Sequence, residues 1–413
     1  MGTHNDNAGQ LTRSIATPLI HELVMRHLSY IDGLENIPRR GPVILVANHS
    51  SYMDHFVTKT IAESVRNARV WFPTKAEAFE KPLSRIWHQS MDCYPVNRNA
   101  PGEEIFQRAK EVLDREETLV LYPEGTRNTT GGLLPFKTGA FRMALANNAP
   151  VVPVGMTGVS DVLPKGARVP RRKLLSVAVG KPLLPPQISD QRAAARTMRD
   201  DAVTAIERLK ERSARPTPSS CGESSSSIVS LAQHIITENL SPDGRLHDDA
   251  LSRIELLLRI ADRISGRHLD LDVEKARLNG FKAISSTNYL ARTGRIFIVT
   301  HRASRLTDLH NSNDFAPYLA GRSSLLLPNF LGGGPRKAQK YFKEAVSRGG
   351  QMTSQAYVGL AEALSQEGKL RDAEKAYKNA QENISPEDPR GSARATKITG
   401  ALANLSDRNE GKQ

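Results

Sequence analysis

PVILVANHSSYMD, Pro42 to Asp54, is the stretch whose reading decides the fold. Val43 to Ala47 is a short apolar run bounded by Gly41-Pro42 before it and polar residues after it, the pattern of a fully buried strand. Asn48 to Ser51 then supplies a turn and Tyr52 opens a helical pattern. His49 therefore sits just past the carboxyl end of the strand, with Asp54 in the first helical turn, able to fold back onto the imidazole. An Asp on one ring nitrogen fixes the tautomer and leaves the other nitrogen as a base. No serine nucleophile accompanies the pair, so the attacking hydroxyl must come from the substrate. Taken alone the spacing is weak, because the chain holds 11 histidines and a helix-capping histidine near a solvated aspartate is a common accident.

Working outward, β-rich runs alternate with helical ones, the mark of an α/β sheet. Strands are expected at Val43 to Ala47, Arg69 to Thr74, Cys93 to Val96, Thr118 to Tyr122, Val151 to Met156 and Leu174 to Val179. Helices are expected at Glu103 to Arg115, Thr138 to Asn147 and Ser189 to Arg212. Ahead of them, Leu11 to Leu28 places Leu11, Ile15, Leu19 and Leu23 at helical spacing beside basic residues, suited either to packing on its own domain or to a membrane interface. The first domain is thus 1–212. Ser213 to Ser227, rich in Ser and Pro, reads as a flexible linker. Residues 228–413 read as helical, apart from strand character at Arg295 to Thr300.

Within the second domain Gly333, Arg336, Ala338, Lys340, Phe342, Lys343 and Ala345 recur 35 residues later as Gly368, Arg371, Ala373, Lys375, Tyr377, Lys378 and Ala380. Small and aromatic residues at that period suggest stacked helix pairs. With Tyr357, Leu360, Ala361 and Leu364, the region resembles the tetratricopeptide repeat family, most clearly over 333–385, with a degenerate unit beginning at Phe315. The resemblance implies a protein partner docked on the helical repeats.

Composition narrows the function classes. The net charge of +13 is dispersed, +8 over the first 215 residues and +5 over the rest, which favours anionic surfaces and phosphates. No zinc-finger spacing, aromatic RNA-binding signature or long basic run points to nucleic acid. Two distant cysteines form neither a metal nor a redox spacing, and a reducing compartment is expected. The N-terminus does not read as a signal peptide, and no stretch nears the roughly 20 apolar residues that span a bilayer, so any membrane contact is expected to be peripheral.

A second turn follows another strand: Pro123-Glu124-Gly125-Thr126-Arg127. Ligands of open α/β sheets bind at the carboxyl ends of strands, so the His49 and Arg127 turns are expected to share a pocket. Gly125 permits close backbone approach, and Arg127 can grip a phosphate. At this point the chain from about Val43 to Pro186 resembles the glycerophospholipid acyltransferase family that includes bacterial 1-acylglycerol-3-phosphate acyltransferases. NHSSYMD, the block carrying Lys75, Glu77, Pro82 and Arg98, YPEGTRN with FKTGA, and VVPVGMTG with Pro153 stand in the family's order. Asn97 and Asp92 depart from it, where Asp and Gly are usual.

The resemblance implies an α/β acyltransferase domain, a mixed sheet flanked by helices, followed by an all-α helical-repeat domain. It implies acyl transfer from an acyl thioester, acyl-CoA or acyl-acyl-carrier protein, to the free hydroxyl of a lysophospholipid, foremost 1-acylglycerol 3-phosphate. His49 and Asp54 are the expected catalytic pair, and Lys75, Arg98, Glu124, Gly125, Thr126, Arg127, Lys137 and Pro153 the expected substrate-binding residues. No metal or resident cofactor is expected. The basic segment Lys165 to Lys173 is placed near the anionic donor, and the cytoplasmic side of the membrane is the expected location. The rival readings are acylation of another lysolipid, such as a lyso-ornithine lipid, and a non-catalytic scaffold acting through its repeats.

Overall fold

The computed structural model describes residues 6–97, 102–128, 130–241, 244–266, 268–309, 313–386, 388 and 391–410. The first described element, helix α1 (Asp6–His27), runs directly into β1 (Leu28–Asp32). The opening run is β2 (Val43–Ala47), followed by α2 (Met53–Val65), β3 (Val70–Lys75), α3 (Pro82–Ser90) and β4 (Cys93–Val96). Next come α4 (Glu103–Asp114), β5 (Thr118–Leu121), α5 (Gly139–Ala146), β6 (Val151–Thr157), a single turn α6 (Val159–Val162) and β7 (Leu175–Val179). Three long helices follow, α7 (Gln191–Ala214), α8 (Pro218–Asn239) and α9 (Asp248–Ser265).

The strands form one mixed sheet in the order β1-β7-β6-β2-β5-β3-β4, parallel throughout except where β6 meets β7. β2 lies at its centre, and all five of its residues are buried. Ile44 and Val46 pack with Leu119, Phe141, Ala144, Met198 and Ile206, and Val43 and Leu45 at the intervening positions are equally buried. Cover on both faces explains why β2 reads as a continuous apolar run rather than an alternation. In register, Val46 stands beside Leu121 of β5 and Ala47 beside Val154 of β6. The turns after β2 and β5 therefore leave the sheet side by side.

The chain divides into two compact units, Met1–Ile235 with Ser252–Gly266, and Ile236–Leu251 with Arg267–Gln413. This corrects the expected division at 213–227. Residues 219–227 are helical rather than a flexible linker. The Ser224 hydroxyl donates to Asp32 Oδ1 at 3.0 Å, and Ser225 is fully buried with its hydroxyl 3.4 Å from the Ala261 carbonyl. Serine is small enough to bring helices close, and its hydroxyl is satisfied there, so a composition typical of linkers forms a packed helix. Arg259 pairs with Glu22 at 2.5 Å, and Arg263 donates to the Leu28 carbonyl at 3.0 Å, so α9 from Ser252 onward also belongs with the sheet.

The second unit is helical among its described residues: α10 (Leu269–Ile284), α11 (Tyr289–Leu309), α12 (Phe315–Leu326), α13 (Pro335–Arg348), α14 (Thr353–Gln366), α15 (Leu370–Glu382) and α16 (Gly391–Glu410). The strand character at Arg295 to Thr300 is overridden. Ile296 and Val299 are buried and Ile298 exposed, an arrangement of period 3.6, not 2. The repeat is borne out: Ala338, Phe342 and Ala345 and their counterparts Ala373, Tyr377 and Ala380 are all buried in one cluster. Gly321 and Gly359 hold the Phe342 ring between α12 and α14, and a β-carbon on Gly359 would stand 2.4 Å from its Cζ.

Beneath the sheet's edge lies a buried ion cluster. Lys59, fully buried on α2, reaches Glu63 at 2.7 Å and Asp92 at 3.0 Å. Asp92 also meets Arg13 at 2.5 Å, and Glu63 accepts from His21 at 2.9 Å, so two α1 side chains are tied in. Burial alone would raise the Glu63 carboxyl, but the His21 hydrogen bond and the Lys59 ammonium outweigh it and hold it below its ordinary 4.5. Both tryptophans, Trp71 and Trp87, lie in this unit, so tryptophan fluorescence follows its unfolding.

Lys59→Ala removes the cation shared by the buried Asp92 and the half-buried Glu63 and is expected to cost about 3 kcal/mol in a tryptophan-monitored denaturant titration. A lowered carboxyl contributes stability above its unfolded pKa and loses it as pH falls through the folded value. Acidification below pH 4.5 is therefore expected to lower the midpoint more in the parent chain than in Glu63→Gln.

Candidate active site

The turn after β2 is shaped by its own side chains. Asn48 is buried and exchanges two hydrogen bonds with Met156, donating to its carbonyl at 3.0 Å and accepting from its N–H at 2.8 Å, which anchors the turn to β6. The fully buried Asp54 carboxylate then collects three donors on Oδ2: His49 Nδ1 at 2.8 Å, Ser50 N–H at 2.6 Å and Ser51 N–H at 2.8 Å. An imidazole donating through Nδ1 keeps Nε2 as its basic nitrogen. His49 and Asp54 are thus brought together as the sequence predicts.

The second turn lies against the first. The Asn128 N–H donates to the His49 carbonyl at 2.7 Å. Glu124, expected among the substrate-binding residues, is turned inward instead: Oε1 accepts the His49 N–H at 2.7 Å and Oε2 the Leu134 N–H at 3.0 Å. Both oxygens face backbone donors and the side chain is buried off the cavity wall, so it braces the two turns. Gly125 adopts φ +70°, a left-handed conformation that favours glycine, and a β-carbon there would lie 3.0 Å from the Lys137 ammonium. Lys137 donates its own N–H to the Pro123 carbonyl at 2.9 Å. Pro153 is likewise not at the site. It is a buried residue of the central strand β6, paired with Val46, and its carbonyl accepts from Gly180 at 2.8 Å.

His49, Lys75, Gly125, Thr126 and Arg127 line a common cavity of about 730 Å³. Arg98 lies outside the described residues. Arg127 stacks its guanidinium 3.7 Å from the Tyr52 ring centroid, and its Nη1 is buried without a hydrogen-bond partner among the described residues. Lys165, from the basic segment, joins Lys75 and Arg127 on the wall, whereas Glu77 is the wall's one carboxylate among the described residues. Phe56, Phe72, Trp87, Met91, Val120 and Leu121 make the rest largely apolar. The cavity therefore offers a base, cations and a greasy wall together.

Several neighbours of His49 were not legible beforehand. Tyr122 stacks on the imidazole with centroids 4.3 Å apart and planes at 21°, and its hydroxyl meets Thr58 at 3.0 Å. Burial, with the Asp54 charge beside it, keeps that phenol un-ionised well above its ordinary range. His55 meets His49 edge-on at 5.6 Å. Burial, then the adjacent His49, push its pKa down to about 3, so it stays neutral and adds no charge. Their only sequence signals are position: Tyr122 ends the β5 run, and His55 follows Asp54 on the helix. The Cys93 thiol, also on the wall, is pushed up to about 11 by burial and is no nucleophile. Among the described residues no cluster of His, Cys, Asp and Glu could hold a metal. Asp92, a departure from the family pattern, has φ +55° and turns into the ion cluster, away from the cavity wall.

A family model described as Acyltransferase matches residues 29–157. The chloroplastic 1-acyl-sn-glycerol-3-phosphate acyltransferase BAT2 of Brassica napus is 31% identical over 140 residues, which are 33% of this chain and 39% of the relative. The human 1-acyl-sn-glycerol-3-phosphate acyltransferase alpha is 26% identical over 173 residues, 38% of this chain and 57% of the relative. The solved 1-acyl-sn-glycerophosphate acyltransferase of Thermotoga maritima aligns with 48% of this chain and 82% of its own, at 25% identity and a TM-score of 0.40. The chain spans less than two thirds of either curated relative. No described helix is long and apolar enough to cross a membrane. With its His49–Asp54 and Arg127 turns in the matched stretch, the N-terminal unit contains a domain of the acyltransferase family, spanning residues 29–157.

Proposed function

We propose that the chain transfers a fatty acyl group from an acyl thioester, acyl-CoA or acyl-acyl-carrier protein, to the hydroxyl of a lysophospholipid at a membrane surface, with 1-acylglycerol 3-phosphate as the leading acceptor and phosphatidic acid as product. The observation that carries the reading is the His49–Asp54 hydrogen bond on the wall of a cavity that also holds an unpartnered arginine nitrogen. Arg127, with Lys75 and Lys165, fits a phosphate. The apolar residues Phe72, Trp87 and Leu121 suit an acyl chain.

In the proposed step His49 Nε2 takes the proton of the acceptor hydroxyl as its oxygen forms a bond to the thioester carbonyl carbon. Asp54 holds the ring and stabilises the imidazolium. The tetrahedral oxyanion then collapses, the carbon–sulfur bond breaks, and the departing sulfur takes the proton back from His49. Ester and free thiol are the products, with no acyl-enzyme. Holding the phosphate and the hydroxyl together makes attack effectively unimolecular.

Purified full-length protein, assayed against a panel of lysolipids that includes lysophosphatidic acid and lyso-ornithine lipid, with acyl-CoA and acyl-acyl-carrier-protein donors, tests both the reaction and the acceptor. His49→Ala and Asp54→Asn are each expected to lower kcat by on the order of 10³-fold, and an active His49→Ala protein removes the base assignment. Glu124→Gln weakens the acceptor of the His49 N–H and is expected to lower kcat about tenfold with little change in KM. A rise in KM at constant kcat would instead return Glu124 to substrate binding.

A further inference from the structure

The second unit carries a surface that acyl transfer does not use. At 100° per residue, Leu290, Phe297, Ile298, His301, Arg302 and Arg305 fall on one side of α11, opposite the buried Ile296, Val299, Ala303 and Leu306. Leu290 is 81% exposed, Phe297 51% and Ile298 45%. Ile296 packs with Ala283, Leu327 and Leu331, which sets the turn after α12 at the same end of the unit. That turn presents Phe330, 86% exposed, and Leu326, 50% exposed. Leu290, Phe297 and Ile298 thus stand towards the start of this face, arginines follow, and Leu309, 62% exposed, closes it at the end of α11.

Charge is distributed as unevenly as hydrophobicity. From Lys275 to Lys343 the chain contains twelve Lys and Arg against two Asp and no Glu. Among the described residues of α11 itself, Asp308 in the last turn is the only carboxylate. Arg277, Arg322 and Arg336 of this segment pair with Glu274, Glu362 and Glu367, so the excess that favours an anionic partner is that of α11 itself, Arg292, Arg295, Arg302 and Arg305 against Asp308. Exposed Leu, Phe and Ile beside the arginines separate the possible anions: nucleic acid offers nothing to bury the aliphatic side chains, whereas the boundary between lipid headgroups and acyl chains takes apolar groups and cations together. A lipid surface also needs no matched pocket, which suits side chains exposed along one helix face.

We propose that this face of α11 docks on a membrane containing anionic phospholipid, independently of the acyltransferase unit. The contact would hold the chain at the surface where a lipid acceptor resides, yet it stands whether or not the proposed reaction is correct.

Sedimentation alone would not separate this face from the exposed Leu19 and Leu83 of the first unit, so the test is local. In full-length Cys221→Ser protein, where the remaining Cys93 is buried, Phe297→Cys carries an environment-sensitive fluorophore, with Leu290→Cys as a second probe position. Phosphatidylglycerol vesicles are expected to blue-shift the emission and phosphatidylcholine vesicles to leave it unchanged. Arg302→Glu/Arg305→Glu is expected to raise the half-saturating vesicle concentration about tenfold or more, and added salt to do the same. Unchanged emission at both positions while the protein co-sediments with phosphatidylglycerol overturns the proposal. So does an equal response to both lipids. A blue shift before vesicles are added, with the mass of two chains in light scattering, assigns the face to a second copy. A shift with an RNA oligonucleotide but not with vesicles assigns it to nucleic acid.

Discussion

The site depends on one carboxylate whose two oxygens both accept backbone N–H groups. Glu124 accepts the His49 N–H on one oxygen and the Leu134 N–H on the other, so the backbone of the base is fixed by the neighbouring turn. Such an arrangement is possible only because β2 and β5 are parallel and in register, with Val46 beside Leu121. A buried charge is tolerated where donors replace its hydration, and Glu124 has them. Asp54 repeats the logic within its own turn, where three donors converge on Oδ2. Both acids lower the freedom of His49, one through the backbone and one through the ring.

Much of this was legible because the relevant features are local. β2 is a single apolar run, His49 and Asp54 are five residues apart, and the Glu124-to-Arg127 turn follows a strand that declares itself. Where sequence reading failed, the deciding contact came from afar. β1 is only five residues long and continues straight from α1, so its pairing with β7, about 146 positions away, left no local mark. Ser219 to Ser227 has the composition of a linker but buries Ser224 and Ser225 against partners 192 and 36 positions away. Glu124 has the chemistry of a ligand-binding acid, and only its partners reveal a brace. In the second unit, the 35-residue repeat was visible because Phe342 and Tyr377 recur, whereas the β-branched run at Ile296 to Thr300 misled until helical packing settled its period.

Asp92 shows how a departure from a family pattern is absorbed. The backbone there has φ +55°, which glycine tolerates best and Asp or Asn better than most residues. Having accepted that conformation, the aspartate places a charge beside Lys59 and Arg13. What looks in sequence like a change at the acceptor site is a change in the structure beneath it. Lys59, Asp92 and Glu63 then form a set in which each charge is worth keeping only while the others remain.

The charged residues of the first unit thereby sort by surroundings. Lys59, Asp92, Asp54 and Glu124 are buried with partners, and they define positions. Lys75, Arg127 and Lys165 line the cavity with Glu77 as the one acid beside them, and Arg127 keeps a buried nitrogen without a partner. A cation left incompletely satisfied in a site walled by Phe72, Trp87 and Leu121 costs free energy unless something anionic and partly apolar fills it. His49 stands on the same wall with its basic nitrogen uncommitted to Asp54. In the proposed reaction such a space takes a molecule with an anionic head, an apolar tail and a hydroxyl between them, which is the chemistry of a lysophospholipid.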